Sequence, residues 1–561
     1  MKKNHIRRRF VKINKNFFHY LECGAGFPVV LFHESPKSSF SNETLILSLA
    51  KKYKVYAIDT PGYGFSDPID KKSYEISDFA KAINKIICCL GLGKFILYGN
   101  HTGASIAIEY GRLFPKELNG LILESLPVFY PHEVKSIIKY FFPPIKVTKD
   151  GSHLTSLWSK VEDQYLWFPW YDREYKKMHH WPYPSAIEIH DYVIDFLRAG
   201  DSYRRAYLSA FKYNSFETIK KLRVPTKFLS IETDILYSHR LRFPKLKKNQ
   251  YLTIINNSKD KINTIKNCVN FFKTNPTSTE KQRVPNEKNF LDIEDGQVYY
   301  KILKKNNNKP VLFLIHDLPG SSEDFRELML ELSKTRTVIS FDIPGTGNSF
   351  INLPNNFTLN YFVEIFDNLI VELGIESYDI YSKGLGGYLS SLLSKKAKLK
   401  PRKIIFDRFK VLTKKEKEKL VLLNKESLKI NYDGSHLLKI WRLINSSIYF
   451  FPWYNKKGMI LSHTKKHFNE LKLNNKFMSI FNNLKLYPLV FKKVLSHEPE
   501  SDINIISNYI LFIKESKKKK NSVDKNIKIN NNKTNFIILQ FVHEKKLTSS
   551  IIKFLDTIKF N

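Results

Sequence analysis

Short apolar runs alternate with helical patterns along the first half of the chain. Apolar runs predict strands at 29–32, 55–58, 95–98, 121–123 and 226–231, and helical periodicity predicts helices at 81–90 and 104–113. Strands that are apolar throughout are typical of a parallel sheet covered by helices on both faces. The pattern therefore predicts an α/β fold with a mostly parallel, doubly wound sheet.

Four short motifs recur at one constant offset of 283 positions, for example from residue 33 to residue 316. They are HESP at 33–36 and HDLP at 316–319, DTPGYG at 59–64 and DIPGTG at 342–347, DGSH at 150–153 and 433–436, and FPWY at 168–171 and 451–454. Four motifs in one register indicate a tandem duplication.

The duplication divides the chain into two predicted domains. We call residues 1–272 the first copy and residues 290–561 the second copy. Residues 273–289 are polar, contain two prolines and lack periodicity, which favours a linker. A low-complexity stretch at 517–535 interrupts the second copy and is typical of a surface loop.

The motifs of each copy follow one another in a recognisable order. A strand leads into His33 and a nearby proline, D-x-P-G-x-G-x-S occupies 59–66, and G-x-x-x-G occupies 99–103 between a strand and a helix. In this order and spacing they resemble the cap-bearing α/β-hydrolase superfamily, over nearly the whole chain. The resemblance implies two tandem α/β-hydrolase-like domains, each with a helical cap, at about 127–222 and 409–504.

Family members carry a nucleophile, normally serine, at the centre of the elbow motif G-x-S-x-G. The first copy has His101 there and the second copy has Gly384. Glycine has no side chain that could react, so the second copy is predicted to be a catalytically dead pseudoenzyme. His101 could be a base or a nucleophile. The alternative is an elbow that lost its serine and only shapes a pocket.

The resemblance also implies an acid and a histidine that would complete a triad. Asp234 fits the acid position after the next-to-last strand, although a solvated loop acid would fit the sequence equally well. Glu124, repeated as Asp407, fits a second acid position, with a structural carboxylate as the alternative. No histidine follows the last strand of the first copy, whereas the second copy offers His543 there.

The remaining site candidates surround this elbow. The amides of Glu34 and Thr102 are the predicted oxyanion donors, although an acid at position 34 would oppose a developing negative charge unless its side chain points away. The predicted substrate-binding residues are His33, His153, Trp158 and Trp170. For His153 the alternative is a packing residue of a helix that Ser152 caps and that runs to Trp158. For the tryptophans the alternative is a cap core.

Composition and charge exclude several classes of protein. The 561 residues include 91 Lys+Arg and 54 Asp+Glu, a net charge of +37. Up to residue 280 there are 43 basic and 26 acidic residues, or +17, which leaves +20 for the remainder. An even spread does not predict a specific nucleic-acid face.

The remaining composition favours a cytoplasmic protein. Four cysteines without metal-ligand spacing predict neither disulfides nor zinc, and no apolar run is long enough to span a membrane. Metal binding by the doublet His179–His180 is disfavoured, and we expect no metal and no cofactor.

Two functions from different classes remain. The first is an enzyme, a hydrolase or lyase that acts on a small ester, lactone or related carbonyl compound with His101 in place of the elbow serine. The second is a non-catalytic pseudo-hydrolase that binds a small molecule or serves as a scaffold. A small-molecule substrate or ligand is the expected partner in both, and the sequence leaves open whether the two copies pack on each other.

Overall fold

The computed structural model describes most of the chain. The described residues are 5–179, 182–274, 286–305, 308–354, 356–455, 459–460, 470–503, 509–514, 536–540 and 544–557. His180, the low-complexity stretch at 517–535 and His543 lie outside them.

The chain divides into two compact units. The first contains Met1–Lys146 and Ser152–Asn286, and the second contains Val147–Gly151 and Glu287–Asn561. The domain boundaries at 272 and 290 stay a prediction, because much of the linker lies outside the described residues.

The first unit is built on an eight-stranded sheet of order β1-β2-β4-β3-β5-β6-β7-β8. Its strands are β1 (Arg7–Ile13), β2 (Asn16–Cys23), β3 (Pro28–Phe32), β4 (Lys54–Ile58), β5 (Phe95–Asn100), β6 (Leu118–Glu124), β7 (Thr226–Ile231) and β8 (Gln250–Ile255). β1 and β2 pair antiparallel, and every pairing from β4 to β8 is parallel. The strands β3, β5 and β6 lie in the middle of the sheet, where both faces are covered, and this explains their apolar sequences.

The second unit repeats this sheet, in the order β13-β10-β12-β11-β14-β15-β18-β19 with β9 paired to β10. The strands of this half are β9 (Lys288–Ile293), β10 (Gly296–Leu303), β11 (Val311–Ile315), β12 (Val338–Phe341), β13 (Phe350–Ile351), β14 (Tyr378–Lys383), β15 (Lys403–Asp407), β16 (Phe450–Phe451), β17 (Met459–Ile460), β18 (Tyr509–Lys514) and β19 (Phe536–Gln540). The two sheets confirm the predicted fold class.

Helices cover both sheets. In the first unit they are α1 (Glu43–Leu49), α2 (Ile76–Leu90), α3 (Thr102–Leu113), α4 (Pro131–Phe141), α5 (Ser152–Leu166), α6 (Ala186–Ala199), α7 (Tyr203–Lys212), α8 (Ser215–Lys221) and α9 (Lys261–Phe272). In the second they are α10 (Arg326–Leu332), α11 (Leu359–Glu372), α12 (Gly386–Lys396), α13 (Lys414–Ser427), α14 (Ser435–Ser447), α15 (Glu470–Phe481), α16 (Tyr487–Leu495), α17 (Pro499–Ile503) and α18 (Glu544–Asp556).

The 283-residue offset holds for the elements as well as for the motifs. β5 at 95–100 corresponds to β14 at 378–383, and β7 at 226–231 corresponds to β18 at 509–514. In the first unit, the helices α4–α8 are inserted between β6 and β7. In the second unit, the helices α13–α17 are inserted between the corresponding strands β15 and β18. We call α4–α8 the helical insert.

Two local features differ from the sequence analysis, one that it did not predict and one that it predicted with other bounds. The antiparallel hairpin of β1 and β2 was not predicted, because its alternating, basic sequence lacks a continuous apolar run. The helix expected to end at Trp158 begins with Ser152 itself and continues to Leu166, since apolar residues recur on its buried face beyond Trp158. Among the described residues, no helix combines the length and apolar character that crossing a bilayer requires.

Candidate functional site

The elbow lies where β5 ends and α3 begins. His101 has φ 48° and ψ −116°, a backbone conformation that is rare for a residue with a side chain. Gly99 and Gly103 make this turn possible, because a Cβ atom at either position would lie 2.3 Å from Gly103 O and 2.5 Å from Phe32 O, respectively. Gly384 has φ 52° at the corresponding place, where glycine carries no strain, so both copies keep a positive φ at the elbow.

The side chain of His101 is paired with Asp234. His101 Nε2 lies 2.8 Å from Asp234 Oδ2, although 133 residues separate the two in the sequence. The other carboxylate oxygen accepts a hydrogen bond from the backbone N–H of Leu236 at 2.8 Å, which fixes the carboxylate in place. The side chains are 23% and 14% exposed, so the pair lies at the surface of the core and not inside it.

The pairing changes the acidity of both groups. Burial lowers the pKa of His101, but the charges of Asp234 and Glu34 and the hydrogen bond to Asp234 outweigh it and raise the pKa to about 9. Burial raises the pKa of Asp234, but His101 and the Leu236 amide outweigh it and lower the pKa to about 2. At neutral pH the pair is therefore an imidazolium and a carboxylate.

The hydrogen bond also determines which nitrogen of His101 is available. In the neutral imidazole, Nε2–H donates to Asp234, and the lone pair is then on Nδ1. No described residue forms a hydrogen bond with Nδ1. The arrangement can accept a proton, or attack a carbon, at that nitrogen.

Glu34 lies in the loop that follows β3, close enough to influence His101. Its carboxylate forms an ion pair of 2.8 Å with Lys37. Burial raises the pKa of Glu34, but the charges of Lys37 and His101 outweigh it and lower the pKa to about 2. Lys37 thus balances the acid that would otherwise oppose a negative charge near this loop.

Glu124, at the end of β6, has partners other than His101. Tyr98 donates its hydroxyl to one carboxylate oxygen at 2.7 Å, and Lys261 lies 2.6 Å from the other. The second copy repeats the first of these contacts, from Tyr381 to Asp407. The repeat favours a structural carboxylate, while a catalytic role for Glu124 stays a prediction.

His33 is held by the backbone on both sides of its ring. Its Nδ1 lies 2.8 Å from Glu34 O, and its Nε2 accepts a hydrogen bond from Thr60 N at 2.9 Å. His316 makes the same two contacts with Asp317 O and Ile343 N at 2.7 and 3.0 Å. With both nitrogens engaged, the histidine positions the loop, and a contact of His33 with substrate stays a prediction.

The other predicted substrate-binding residues lie in the helical insert. Trp170 Nε1 donates to Phe141 O at 3.1 Å, and its ring packs against an aromatic cluster that includes Phe141 and Phe211. Trp158 and His153 are buried in α5, with 3% and 8% exposure. These positions favour the alternative of an aromatic core, and substrate contacts from them stay predictions.

In the second copy, a carboxyl group lies at the elbow itself. Asp317 Oδ1 accepts hydrogen bonds from the backbone N–H groups of Leu318 and Leu385, both at 2.8 Å. A Cβ atom built on Gly384 would lie 2.3 Å from the carboxyl carbon of Asp317. Asp317 therefore fills the space that an elbow side chain would need.

Leu385 corresponds to Thr102 through the 283-residue offset. Its amide donates to a carboxyl oxygen of Asp317 directly before α12, and Thr102 begins α3, where the first N–H groups of a helix lack partners within it. This parallel supports the Thr102 amide as an anion donor in the first copy.

Sequence reasoning did not find Lys37 or Lys261. Lysine is abundant throughout the chain, so neither position stood out. Lys261 begins α9, just after the last strand, where the resemblance implied a histidine. The pairing of Tyr98 with Glu124 could have been found, because tyrosine and an acid recur together at the 283-residue offset.

Comparison with known proteins gives a family match in each half. The model of the α/β hydrolase fold family matches residues 28–144 and 310–407. Haloalkane dehalogenase 2 of Mycobacterium tuberculosis (strain ATCC 25618 / H37Rv) is 26% identical over 115 residues, 20% of this chain and 40% of the relative. Epoxide hydrolase 1 of Caenorhabditis elegans is 30% identical over 122 residues, 21% of this chain and 30% of the relative.

A third relative, cis-3-alkyl-4-alkyloxetan-2-one decarboxylase of Shewanella oneidensis, is 25% identical over 135 residues, 24% of this chain and 42% of the relative. Among solved structures, epoxide hydrolase A from Mycobacterium thermoresistibile has a TM-score of 0.38 and 18% identity, covering 48% of this chain and 98% of that one. The matches to these three relatives span 30% to 42% of their lengths. A family match in each half supports assignment of the chain to the α/β-hydrolase superfamily.

Proposed function

We propose that the first copy is an enzyme that acts on a small ester, lactone or related carbonyl compound, with His101 in place of the elbow serine. The observation that carries the proposal is the 2.8 Å contact between His101 Nε2 and Asp234 Oδ2. Acyl-transfer enzymes use a base that a carboxylate orients, together with backbone amides that bind an oxyanion. Here the base itself stands on the strained turn, where those enzymes carry the nucleophile.

The chemistry follows from the free nitrogen of His101. Neutral Nδ1 takes a proton from water while the water oxygen forms a bond to the carbonyl carbon, and the carbonyl electrons move to oxygen. The amides of Thr102 and Glu34 would bind this oxyanion, and Asp234 would stabilise the imidazolium that forms. The same base could instead remove a proton from the substrate, as in a lyase.

The relatives support a small substrate with a strained or activated carbon. Their names describe enzymes for haloalkanes, epoxides and an oxetan-2-one, which is a four-membered lactone. We further propose that the helical insert is a cap over the elbow, since it is inserted between β6 and β7 and ligands bind at the carboxyl ends of the strands in such sheets.

The test is turnover of short-chain p-nitrophenyl esters and small lactones by the full chain. His101→Asn is the informative variant, because asparagine tolerates a positive φ but is not a base. We expect kcat/KM to fall by about 100-fold or more, the usual contribution of a positioned base. His132→Ala is the matched control, since His132 is exposed on α4. Turnover in the wild type that His101→Asn leaves unchanged would overturn the role of His101.

We propose that the second copy is catalytically dead and that its elbow space belongs to Asp317. A Gly384→Ala substitution should then destabilise the chain, because the new methyl group would meet the Asp317 carboxyl group. In a double-mutant cycle, adding Asp317→Ala should recover part of the loss. Urea unfolding measures this coupling, and additive effects of the two substitutions would show that Asp317 does not occupy the elbow.

The second candidate is a non-catalytic pseudo-hydrolase that binds a small molecule or serves as a scaffold. Asp317 occupies the elbow of the second copy, and this favours a non-catalytic function for that copy. For the first copy, it predicts thermal stabilisation by esters or lactones without any turnover. The same compounds therefore distinguish the two functions.

A further inference from the structure

Lys160 is a buried lysine in the middle of α5. Its exposure is 7%, and its Nζ lies 4.7 Å from the ring centre of Phe196, 4.5 Å from that of Tyr203 and 5.3 Å from that of Trp170. Aromatic faces attract an ammonium group, but they do not accept its hydrogen bonds as an oxygen does. The surroundings therefore hold the cation in position without neutralising it.

The hydrogen bonds of this ammonium group are incomplete. Nζ has three N–H donors, and one of them binds Tyr203 Oη at 3.1 Å. That hydroxyl gives its own proton to Pro143 O at 2.6 Å, so it is only an acceptor for Lys160. Among the described residues, no carboxylate forms an ion pair with Lys160 and no second acceptor binds it.

A buried ammonium with unmet donors is costly. Consistent with this cost, burial alone lowers the pKa of Lys160 to about 7. A carboxylate would bring the missing charge and two acceptor oxygens at once.

The second copy has an apolar residue at the position that corresponds to Lys160. Lys160 corresponds to Leu443 through the 283-residue offset, and Leu443 is 2% exposed in α14. Phe196 and Tyr203 correspond to Ser479 and Leu486, whereas Trp170 corresponds to Trp453, so two of the three aromatic rings change together with the lysine. The fold accepts an apolar residue here, and the lysine occurs in the copy that has the His101–Asp234 pair.

The lysine is also linked to the loop beside the elbow. The backbone carbonyl of Tyr203 accepts a hydrogen bond from the hydroxyl of Tyr63, and that hydroxyl accepts one from Ser35 at 3.0 Å. Ser35 directly follows Glu34. Tyr203 thus contacts Lys160 through its hydroxyl and the site loop, by way of Tyr63, through its backbone carbonyl.

We propose that Lys160 anchors a carboxylate-binding subsite in the helical insert of the first copy. The ligand class is a small organic carboxylate whose apolar part packs against the surrounding aromatic rings. Binding alone measures this subsite, so it stands or falls separately from catalysis by His101.

Isothermal titration calorimetry on the full chain at pH 6 tests the subsite. The probes are butyrate and phenylacetate, each compared with its neutral amide, and inorganic phosphate. We expect at least one carboxylate to bind tenfold or more tightly than its amide, and more tightly than phosphate. Lys160→Leu, which copies the residue of the second copy, should remove this preference.

The control is Lys139→Leu, which removes an exposed lysine from α4 and should leave binding unchanged. Circular dichroism checks that each variant is folded. If Lys160→Leu does not fold, Lys160→Arg, which keeps the positive charge, should retain the preference for carboxylate. A preference for carboxylate that survives Lys160→Leu would overturn the proposal. Equal binding of carboxylates and amides by the wild type would overturn it as well, whatever the esterase assays show.

Discussion

At the elbow the two copies differ mainly in single side chains, because both keep a positive φ between a strand and a helix. His101 and Gly384 share a positive φ, but only His101 presents a nitrogen that a carboxylate orients. The two acids at corresponding loop positions also differ in what they contact. Glu34 pairs with Lys37, whereas Asp317 accepts the amides at its own elbow. Glu34 has one more methylene than Asp317 and a lysine three positions later, with which it pairs. The shorter Asp317 occupies the elbow of its own copy.

The raised pKa of His101 predicts how activity depends on pH. Since only the neutral imidazole is a base, and its pKa is about 9, log kcat/KM should rise with pH and level off near pH 9. Asp234→Asn removes a charge that raises this pKa, so the inflection should move to lower pH and the plateau should fall. A pH–rate profile from pH 6 to 10 measures both effects. A flat profile below pH 9 would contradict the role of His101 as a base.

The same shift has a consequence for stability. The folded-state pKa of His101 lies above the ordinary value of 6.5 and that of Asp234 lies below the ordinary value of 3.8, so the pair stabilises the fold fully between pH 3.8 and pH 6.5. This stabilisation is lost as the pH rises through about 9. Urea unfolding at a series of pH values measures this dependence of the free energy of unfolding on pH. Glu43→Gln, which removes an exposed acid, is a control that should not alter it.

At the scale of elements, the strand–turn–helix unit of β5 and α3 places His101 at the sheet edge. The turn works because two glycines let backbone pack directly on backbone. Gly103 and Gly386 occupy the same place in the two copies, and a Cβ atom at either one would lie within 2.5 Å of a carbonyl oxygen. Conserved turn geometry in a copy without a nucleophile indicates that the turn also supports the fold.

A Gly103→Ala substitution should therefore destabilise the chain by about 1–3 kcal/mol, the usual cost of forcing extra atoms into a packed site. Its new methyl group would meet the carbonyl oxygens of Phe32 and His33, which cannot move without disturbing β3. Urea unfolding of the full chain gives the value. Lys81→Ala on the exposed face of α2 should change stability little, and an equally small effect of Gly103→Ala would contradict the predicted packing.

At the scale of the whole molecule, the duplication explains the length of the chain. The positive charge is spread over both halves and does not indicate a specific nucleic-acid-binding surface. Both halves carry a similar excess of basic residues, and the sheets, helices and inserts recur at one offset. Basic residues also form ion pairs within each unit, as Lys37 and Lys261 do in the first and Lys395 does with Asp502 in the second.

The charge predicts only weak, sequence-independent binding to nucleic acid. We expect a Kd of about 1–100 μM for DNA at physiological salt, with binding falling steeply between 50 and 200 mM salt. Fluorescence anisotropy with two unrelated duplexes measures affinity and salt dependence together. A preference of tenfold or more for one duplex would show a specific nucleic-acid site.

The sequence by itself determined the repeat, the parallel sheets and the elbow, because periodicity and motif spacing are local properties of the chain. It also brought out His101 and Asp234 as candidates, since each follows a predicted strand. Tertiary structure alone decided that these two side chains meet, that Lys37 balances Glu34 and that Asp317 fills the second elbow. Such contacts join residues that are far apart in sequence, or depend on the direction of a side chain, and neither property is written in the spacing of residues. Lys160 shows the same limit, because one lysine among many is distinguished only by its burial and by the partners that it lacks.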